Sequence, residues 1–104
     1  MNTKISFVIP AKDEEKSIKQ LYEEIIANAQ PITKNIEIIF IDDGSKDGTF
    51  DTMSSLARRD ERVKVIKLRG NFGKSVALTV GFENSCGKII ITLDGDLQDD
   101  PKEI

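Results

Sequence analysis

The end of the chain brings two carboxylates together at the point where a strand must stop. Asp94 and Asp96 follow an apolar, β-branched run, residues 89–93, that has the length of a buried strand. Side chains at i and i+2 of extended chain point to the same side, so the two carboxylates can converge. Gly95 between them has no side chain and lets a ligand approach the backbone. Because like charges this close repel each other, the pattern predicts a site for a divalent cation and phosphate.

A second acidic pair, Asp42 and Asp43, also stands directly after an apolar run, residues 36–41. A strand-to-helix turn accounts for the Gly-Ser that follows, with Ser45 or Asp47 as a helix cap. The turn does not account for two adjacent carboxylates at the mouth of a buried strand. A carboxylate there can accept hydrogen bonds from a nucleobase imide or from ribose hydroxyls, and we expect Asp43 to contact a ligand.

Two further polar clusters carry weaker signals. Pro10 follows the first apolar run, and we expect it to end that strand and leave the 10–12 backbone facing outward. Asp13 is a candidate N-cap of the next helix, whereas for Glu14 helix capping and ligand binding both stay open. Lys74 opens a later helix, where a cation and backbone N–H groups can meet an anion, although a solvated lysine explains it equally well.

Composition excludes several classes of chemistry. The chain has 104 residues, a formal net charge of −3 and no histidine, which excludes a Ser-His-Asp triad and histidine-ligated zinc within it. The acidic balance argues against nucleic-acid binding. Cys86 is the only cysteine, so no disulfide forms within the chain, and we expect a packed or half-exposed thiol. Because no run reaches the ~20 apolar residues of a membrane span and no signal peptide is recognisable, we expect a cytoplasmic chain.

Apolar runs alternate with helical patterns along the whole chain. Short links between them predict one α/β domain, residues 1–104, with mainly parallel strands and helices on the faces of the sheet. The Val/Ile content of the second and fourth strands favours central positions. We expect Gly81 to let the third helix pack closely on the sheet and residues 86–87 to end that helix. Ligands bind beyond the carboxyl ends of such strands, where the polar clusters are expected. The predicted strands are residues 5–9, 36–41, 63–68 and 89–93, and the predicted helices are residues 14–29, 48–59 and 74–85.

Stretches in this order resemble the inverting glycosyltransferases of family 2, which have the GT-A fold. They are residues 8–15 (Val-Ile-Pro-Ala-Lys-Asp-Glu-Glu), 42–49 (Asp-Asp-Gly-Ser-Lys-Asp-Gly-Thr), 71–74 (Asn-Phe-Gly-Lys) and 92–99 (Thr-Leu-Asp-Gly-Asp-Leu-Gln-Asp). The last two are most similar to the polyprenyl-phosphate branch, which includes dolichol-phosphate mannose synthase. The resemblance implies the three-layer α/β/α, Rossmann-like nucleotide-binding half of a GT-A fold. It also implies an enzyme that moves a sugar with inversion from a UDP- or GDP-sugar to an acceptor.

The resemblance assigns roles by position. It implies that Asp94 and Asp96 form the D-x-D pair of the metal site, with Asp96 toward Mn²⁺ or Mg²⁺ and Asp94 toward the ribose or metal-bound water. The metal neutralises charge on the departing diphosphate. Position 13 departs from the family, since Asp13 stands where Asn is usual; a cap survives there, but an amide contact does not. The residues implied to bind the nucleotide sugar are Pro10, Lys12, Glu14, Ile41, Asp43, Lys74, Asp94, Gly95 and Gln98.

The resemblance also implies partners. Family members continue beyond the D-x-D into an acceptor-binding half with the general base, and many carry membrane helices. We therefore expect residues 1–104 to be the N-terminal donor-binding part of a longer enzyme, inactive alone. The parent protein is expected at the cytoplasmic face of the membrane with a polyprenyl phosphate as acceptor, and a growing glycan is the alternative acceptor. An uncovered sheet edge would also permit self-association into a homo-oligomer.

Two other classes share part of the pattern. Haloacid-dehalogenase-like phosphatases place Asp-x-Asp after an apolar strand, but there the motif starts the domain and Thr or Val occupies the position of Gln98. A receiver-like phosphoacceptor module would use Asp42 and Asp43 as a magnesium pocket, and it needs a third acid and a lysine on later strands. Stable acyl-phosphate formation would identify either class, whereas nucleotide binding would favour the transferase.

Overall fold

A parallel sheet forms the middle layer of the protein. The computed structural model describes residues 3–95, so Asp96 and Gln98 lie outside the described residues. The strand order is β3-β2-β1-β4 and every pairing is parallel, which confirms the predicted α/β class. The elements are β1 (Ile5–Ala11), α1 (Glu15–Ala29), β2 (Ile36–Asp42), α2 (Thr49–Arg59), β3 (Val63–Lys67), α3 (Lys74–Glu83) and β4 (Ile89–Thr92).

The two faces of the sheet bury cores of different size. Successive side chains of a strand point to opposite faces, so the odd positions of β1 and the even positions of β2 share one face. That face packs against α1 and α2 and forms the larger core, whose fully buried side chains include Phe7, Ile9, Ile18, Leu21, Ile25, Phe40 and Met53. The other face packs against α3 and forms a smaller core of Val8, Ile39, Ile41 and Ala77. This is the three-layer α/β/α arrangement that the resemblance implied.

Gly81 lets α3 lie close to the sheet, as predicted. A Cβ built at Gly81 would lie 2.9 Å from Cδ1 of Ile41 and closer still to the side chain of Val8, so any side chain would push the helix away. The three helices have 15, 11 and 10 residues. Within residues 3–95, none of them combines the length and the hydropathy that crossing a bilayer requires.

The predicted end of α3 at residues 86–87 is wrong. The helix ends at Glu83, where the Asn84 N–H donates to the carbonyls of the last turn. The N–H groups of Cys86 and Gly87 instead donate to side chains of the sheet, at Glu37 and Ser6. They belong to the connection into β4, since their hydrogen bonds tie them to the sheet and not to α3.

Pro10 does not end β1, contrary to the prediction. The strand continues to Ala11, whose carbonyl accepts a hydrogen bond from the Asp43 N–H at 2.9 Å. Even-numbered residues of β1 direct their backbone groups toward β4, and the β4 pairing ends where Thr92 lies opposite Val8. The missing N–H of Pro10 therefore removes no hydrogen bond from the sheet, which is where proline is tolerated in a strand.

Strand β4 is an edge strand of the described sheet, not the central strand that its apolar sequence favoured. It pairs with β1, and Ile89 and Ile90 are each 42% exposed. Strand β2, by contrast, is central and buried along its whole length. An apolar run predicts that a strand is buried, but it does not show whether neighbouring strands or another part of the protein cover it. The sequence alone therefore could not give the position of β4 in the sheet. Self-association through a sheet edge stays a prediction.

Candidate functional site

An open cleft of about 250 Å³ lies at the carboxyl ends of β1 and β4. A second cleft of about 160 Å³ adjoins it and shares four of its lining residues. The first is lined by Pro10, Ala11, Lys12, Glu14, Lys74, Asp94 and Gly95, and the second by Pro10, Ala11, Lys12, Asp43 and Lys74. Segments that are distant in the chain therefore meet here, as the parallel topology requires.

An ion pair between Lys74 and Asp94 lies in the larger cleft, with Nζ of the lysine against Oδ1 of the aspartate. Lys74 is the first residue of α3, and Asp94 follows β4 by two positions. The Lys74 side chain is 60% exposed, and that of Asp94 is 27% exposed. The pair joins an exposed cation to a more buried carboxylate.

Gly95 is required by the close approach of the chain to β1. A Cβ at this position would lie 2.6 Å from the Cβ of Ala11. We expected the absence of a side chain at Gly95 to give a ligand access. It also lets this part of the chain pack against β1. This approach places the Asp94 backbone at the wall of the cleft.

Asp43 holds the loop that leads into α3. Its Oδ1 accepts from the Phe72 N–H at 2.8 Å and its Oδ2 from the Gly73 N–H at 3.1 Å. With the Asn71 amide turned so that its nitrogen faces Asp43, Asn71 donates to Oδ2 at 3.0 Å and accepts from Nζ of Lys12 at 2.8 Å. Only 6% of Asp43 is exposed. Both carboxylate oxygens are thus occupied by the loop, and the residue shapes the site more than it faces it.

Asp42 points to the opposite face of the sheet from Asp43, as neighbours in a strand do. It is fully buried, and its Oδ1 accepts from the Ser45 N–H at 2.9 Å. Among the described residues, its Oδ2 has no hydrogen-bond partner. Because the two carboxylates lie on different faces, they do not form the single magnesium pocket that a receiver-like module needs.

Asp13 joins two loops, and the prediction that it caps α1 is wrong. Its Oδ1 accepts from the N–H groups of Lys46 and Asp47 at 2.7 and 3.3 Å. Its own N–H donates to Oγ of Ser45 at 2.9 Å. Glu14 occupies the N-cap position and makes no side-chain capping hydrogen bond. Asp13 has φ +54°, a left-handed conformation that Asp and Asn tolerate better than most residues.

The start of α2 is tied to the start of α1. Asp47 accepts a hydrogen bond from the Thr49 N–H at 2.9 Å, so Asp47 rather than Ser45 serves the first turn of α2. Hydrogen bonds from Thr49 hold the pKa of Asp47 below its ordinary value. Oγ1 of Thr49 in turn accepts from the Glu14 N–H at 2.8 Å. These contacts fix the loop from which Glu14 reaches the cleft.

Ile41 is not brought into the cleft. Its side chain is fully buried in the smaller core beneath α3, so no part of that side chain faces the site. Ala11 lines both clefts, in agreement with the expectation that the 10–12 backbone faces outward. Asn71, which contacts Asp43 and Lys12, was assigned no role, because nothing in the sequence links it to Asp43.

The cleft offers the ligand chemistry of a hard divalent cation. Within residues 3–95, no group of three or more His, Cys, Asp or Glu side chains is placed to hold a metal ion. Two carboxylates, Glu14 and Asp94, nevertheless line the cleft, and carboxylate oxygens are the ligands that Mg²⁺ and Mn²⁺ prefer. Asp94 already holds a cation, the ammonium of Lys74. The described half of the predicted metal pair therefore fits such an ion.

A larger surface depression of about 600 Å³ lies at the end of α2, away from these clefts. Its carboxylate, Asp60, accepts from Arg62 at 2.8 Å and from the Tyr22 hydroxyl at 2.6 Å. The hydrogen bond from Arg62 contributes most, and together with that from Tyr22 it holds the pKa of Asp60 well below its ordinary value. The carboxylate of Asp60 is thus engaged by Arg62 and Tyr22 of its own chain, which indicates a structural role for this residue.

Comparison with known proteins places the chain among sugar transferases. The sequence profile described as glycosyl transferase family 2 matches residues 6–104. An undecaprenyl-phosphate 4-deoxy-4-formamido-L-arabinose transferase of Shewanella sediminis is 41% identical over 101 residues. That match covers 96% of this chain and 30% of the relative, so the chain spans about a third of the relative's length.

Solved structures of similar fold confirm the predicted architecture. The mannosyltransferase PcManGT of Pyrobaculum calidifontis, solved with GDP-Man and Mn²⁺, has a TM-score of 0.80 at 20% identity, covering 92% of this chain and 28% of that one. TarS of S. aureus, solved with UDP-GlcNAc, has a TM-score of 0.77 at 26% identity, covering 89% of this chain and 26% of that one.

Proposed function

This chain belongs to glycosyl transferase family 2, and from that premise we propose that residues 1–104 form the donor-binding part of a longer, inverting glycosyltransferase. The donor is a nucleoside diphosphate sugar, and the acceptor is a polyprenyl phosphate. The observation that carries the proposal is the cleft in which Lys12, Lys74 and Asp94 meet at the carboxyl edge of the sheet.

The two adjoining clefts match the chemistry of a nucleotide. A diphosphate needs cationic donors, which Lys12 and Lys74, lining both clefts, supply. Ribose hydroxyls need acceptors, which Glu14 and Asp94 supply. Their shared lining makes one continuous surface for base, ribose and diphosphate.

A divalent cation, when bound, neutralises the negative charge that develops on the departing diphosphate. Asp94, with Asp96, would hold this ion through carboxylate oxygens. Lys74 stabilises the same diphosphate charge from the start of α3, where backbone N–H groups also favour an anion. Proton removal from the acceptor is not assigned to a residue of this chain.

Relatives of the chain support a polyprenyl phosphate as the acceptor. The Shewanella protein acts on undecaprenyl phosphate, and its 41% identity extends over nearly the whole chain. TarS, at 26% identity, was solved with a UDP-sugar. An acceptor with a polyprenyl tail requires the parent protein to work at a membrane, and a nucleotide-sugar donor places that work at the cytoplasmic face.

Calorimetric titration with UDP and GDP, with and without Mn²⁺, tests the donor site. We expect one of the two nucleotides to bind in a Mn²⁺-dependent way, and the binding to vanish in Asp96→Ala. Asp51→Ala, which removes an exposed aspartate of α2, should bind like the wild type. A chain that is folded by circular dichroism and binds neither nucleotide contradicts the proposal.

The identity of the acceptor is tested by assaying sugar transfer with the complete parent protein. Sugar transfer to a short-chain polyprenyl phosphate supports the proposal, whereas transfer to an oligosaccharide alone would replace the lipid acceptor by a growing glycan. The outcome of the nucleotide titration does not depend on which of these acceptors receives the sugar.

A further inference from the structure

The Lys74–Asp94 ion pair occupies the carboxylate that the proposed metal needs. The contact joins Nζ of Lys74 to Oδ1 of Asp94 inside the larger cleft. Lys74 contacts Oδ1, and a divalent cation at either oxygen of the same carboxylate would lie close to the ammonium and be repelled by it. The two cations therefore compete for the charge of Asp94.

The backbone of Lys74 is anchored, and its long side chain reaches Asp94 from an exposed position. Asp43 holds the N–H groups of Phe72 and Gly73, the two residues before α3. Asn71 extends this network to Lys12. The Lys74 side chain is nevertheless 60% exposed, and the four methylene groups of a lysine form a flexible stem. Its ammonium can thus move within the cleft while its Cα stays fixed.

We propose that Lys74 is a placeholder cation that couples metal binding to donor binding. In the absence of nucleotide, its ammonium neutralises Asp94 and weakens metal binding. When the metal and the diphosphate enter, the ammonium leaves Asp94 for the diphosphate, and Asp94 binds the metal. This inference rests on the proposed function, because it requires an anionic donor in the same cleft.

Lys74 then has effects of opposite sign on metal binding and on nucleotide binding. Without nucleotide, Lys74 opposes the metal; with nucleotide, it stabilises the diphosphate. Coupling between two ligands is reciprocal, so the nucleotide must raise Mn²⁺ affinity by the same factor by which Mn²⁺ raises nucleotide affinity. A residue with only a structural role would lower both affinities together or change neither.

The test is a Mn²⁺ titration of the chain followed by the electron paramagnetic resonance signal of free Mn²⁺, with and without UDP or GDP. For Lys74→Met without nucleotide, we expect Mn²⁺ to bind about 1.5-fold to fivefold more tightly, the range that an exposed ion pair supplies. We expect the same variant to bind nucleotide about tenfold more weakly, because a charged hydrogen bond to phosphate is lost. The factor that couples the two ligands should shrink accordingly.

Two control variants separate the ion pair from net charge. Lys74→Arg keeps a cation against Asp94 and should retain the wild-type Mn²⁺ affinity in the absence of nucleotide. Lys88→Met removes one positive charge from an exposed residue just before β4, at the opposite end of the sheet, and should change neither affinity.

Unchanged or weaker Mn²⁺ binding by nucleotide-free Lys74→Met overturns the inference. If the wild type still shows Mn²⁺-dependent nucleotide binding in that case, the proposed function stands without it. A folded wild-type chain that binds neither nucleotide overturns both.

Discussion

Two carboxylates at opposite ends of the sheet differ in what surrounds them. Glu37, near the amino end of β2, has a side chain that is 2% exposed. It accepts hydrogen bonds from Oγ of Ser6 at 2.6 Å, the Cys86 N–H at 2.7 Å and Nζ of Lys64 at 3.0 Å. Asp94, at the carboxyl end, faces an open cleft and pairs with an exposed lysine.

The pKa of Glu37 reflects the hydrogen-bond donors that surround this buried carboxylate. Burial by itself raises the pKa, but the hydrogen bonds from Ser6, from the Cys86 N–H and from Lys64 outweigh burial and lower it from 4.5 to about 2. A buried carboxylate with this many donors stabilises the fold. Asp94 instead lies at an open cleft where a ligand can reach it, so the comparison separates a structural acid from a candidate functional one.

Glu37→Ala should have the largest effect on stability. The substitution leaves the Ser6 hydroxyl and the Cys86 N–H without their acceptor, and we expect a loss of about 3 kcal/mol in the free energy of unfolding. Urea denaturation measures it. Glu23→Ala, at an exposed position of α1, should stay within about 0.5 kcal/mol of the wild type. A Glu37→Ala change of that small size would break the comparison.

Replacing Asp43 should cost less stability but also affect the site. In Asp43→Asn, one of the two loop N–H groups meets an amide NH₂ instead of an oxygen, which we expect to cost about 2 kcal/mol. Because the loop carries Lys74, nucleotide affinity should fall as well. Urea denaturation and calorimetry measure the two effects, with Asp51→Asn as the control. Unchanged nucleotide binding would show that the loop does not position the site.

The stability of the wild type should depend on pH through Glu37. Because its pKa is lower in the folded protein, the unfolded chain takes up a proton first, and the stabilisation is present above pH 4.5. It is lost progressively as pH falls from about 4.5 to about 2. Urea denaturation across this range should give a flatter curve for Glu37→Gln than for the wild type. Parallel curves would contradict the assignment.

Asp13→Asn should have the smallest effect. The side-chain oxygen of Asn can still accept from the Lys46 N–H, and Asn tolerates the left-handed backbone. We expect a change within about 0.5 kcal/mol in urea denaturation, since the group is exposed. A larger loss would mean that the charge of Asp13, and not only its oxygen, holds the two loops together.

The sequence predicts the carboxyl end of the sheet far better than the amino end. Asp94 and the pair Asp42–Asp43 stand out because they directly follow apolar runs, and parallel strands bring such positions to one edge. Glu37 lies inside an apolar run and gives no such signal. Its partners Ser6, Cys86 and Lys64 are 31, 49 and 27 positions away. Contacts of this kind arise from tertiary packing, which local patterns do not encode.

The same limit explains the errors at element ends. Pro10 stays in β1 because its missing N–H faces a position where β4 has already stopped pairing. Residues 86–87 do not end α3 because their N–H groups meet Glu37 and Ser6. In both cases, a neighbour distant in sequence decides the local structure.

The central claim is that the carboxyl-end cleft binds the nucleotide while the amino-end acid supports the fold. Calorimetric titration of UDP and GDP in the presence of Mn²⁺, on Asp94→Asn and Glu37→Gln side by side, tests it most directly. We predict that Asp94→Asn loses nucleotide binding at nearly unchanged stability, and that Glu37→Gln is less stable but retains the wild-type affinity once folded. Wild-type affinity in Asp94→Asn, together with a loss of binding in folded Glu37→Gln, would contradict the claim.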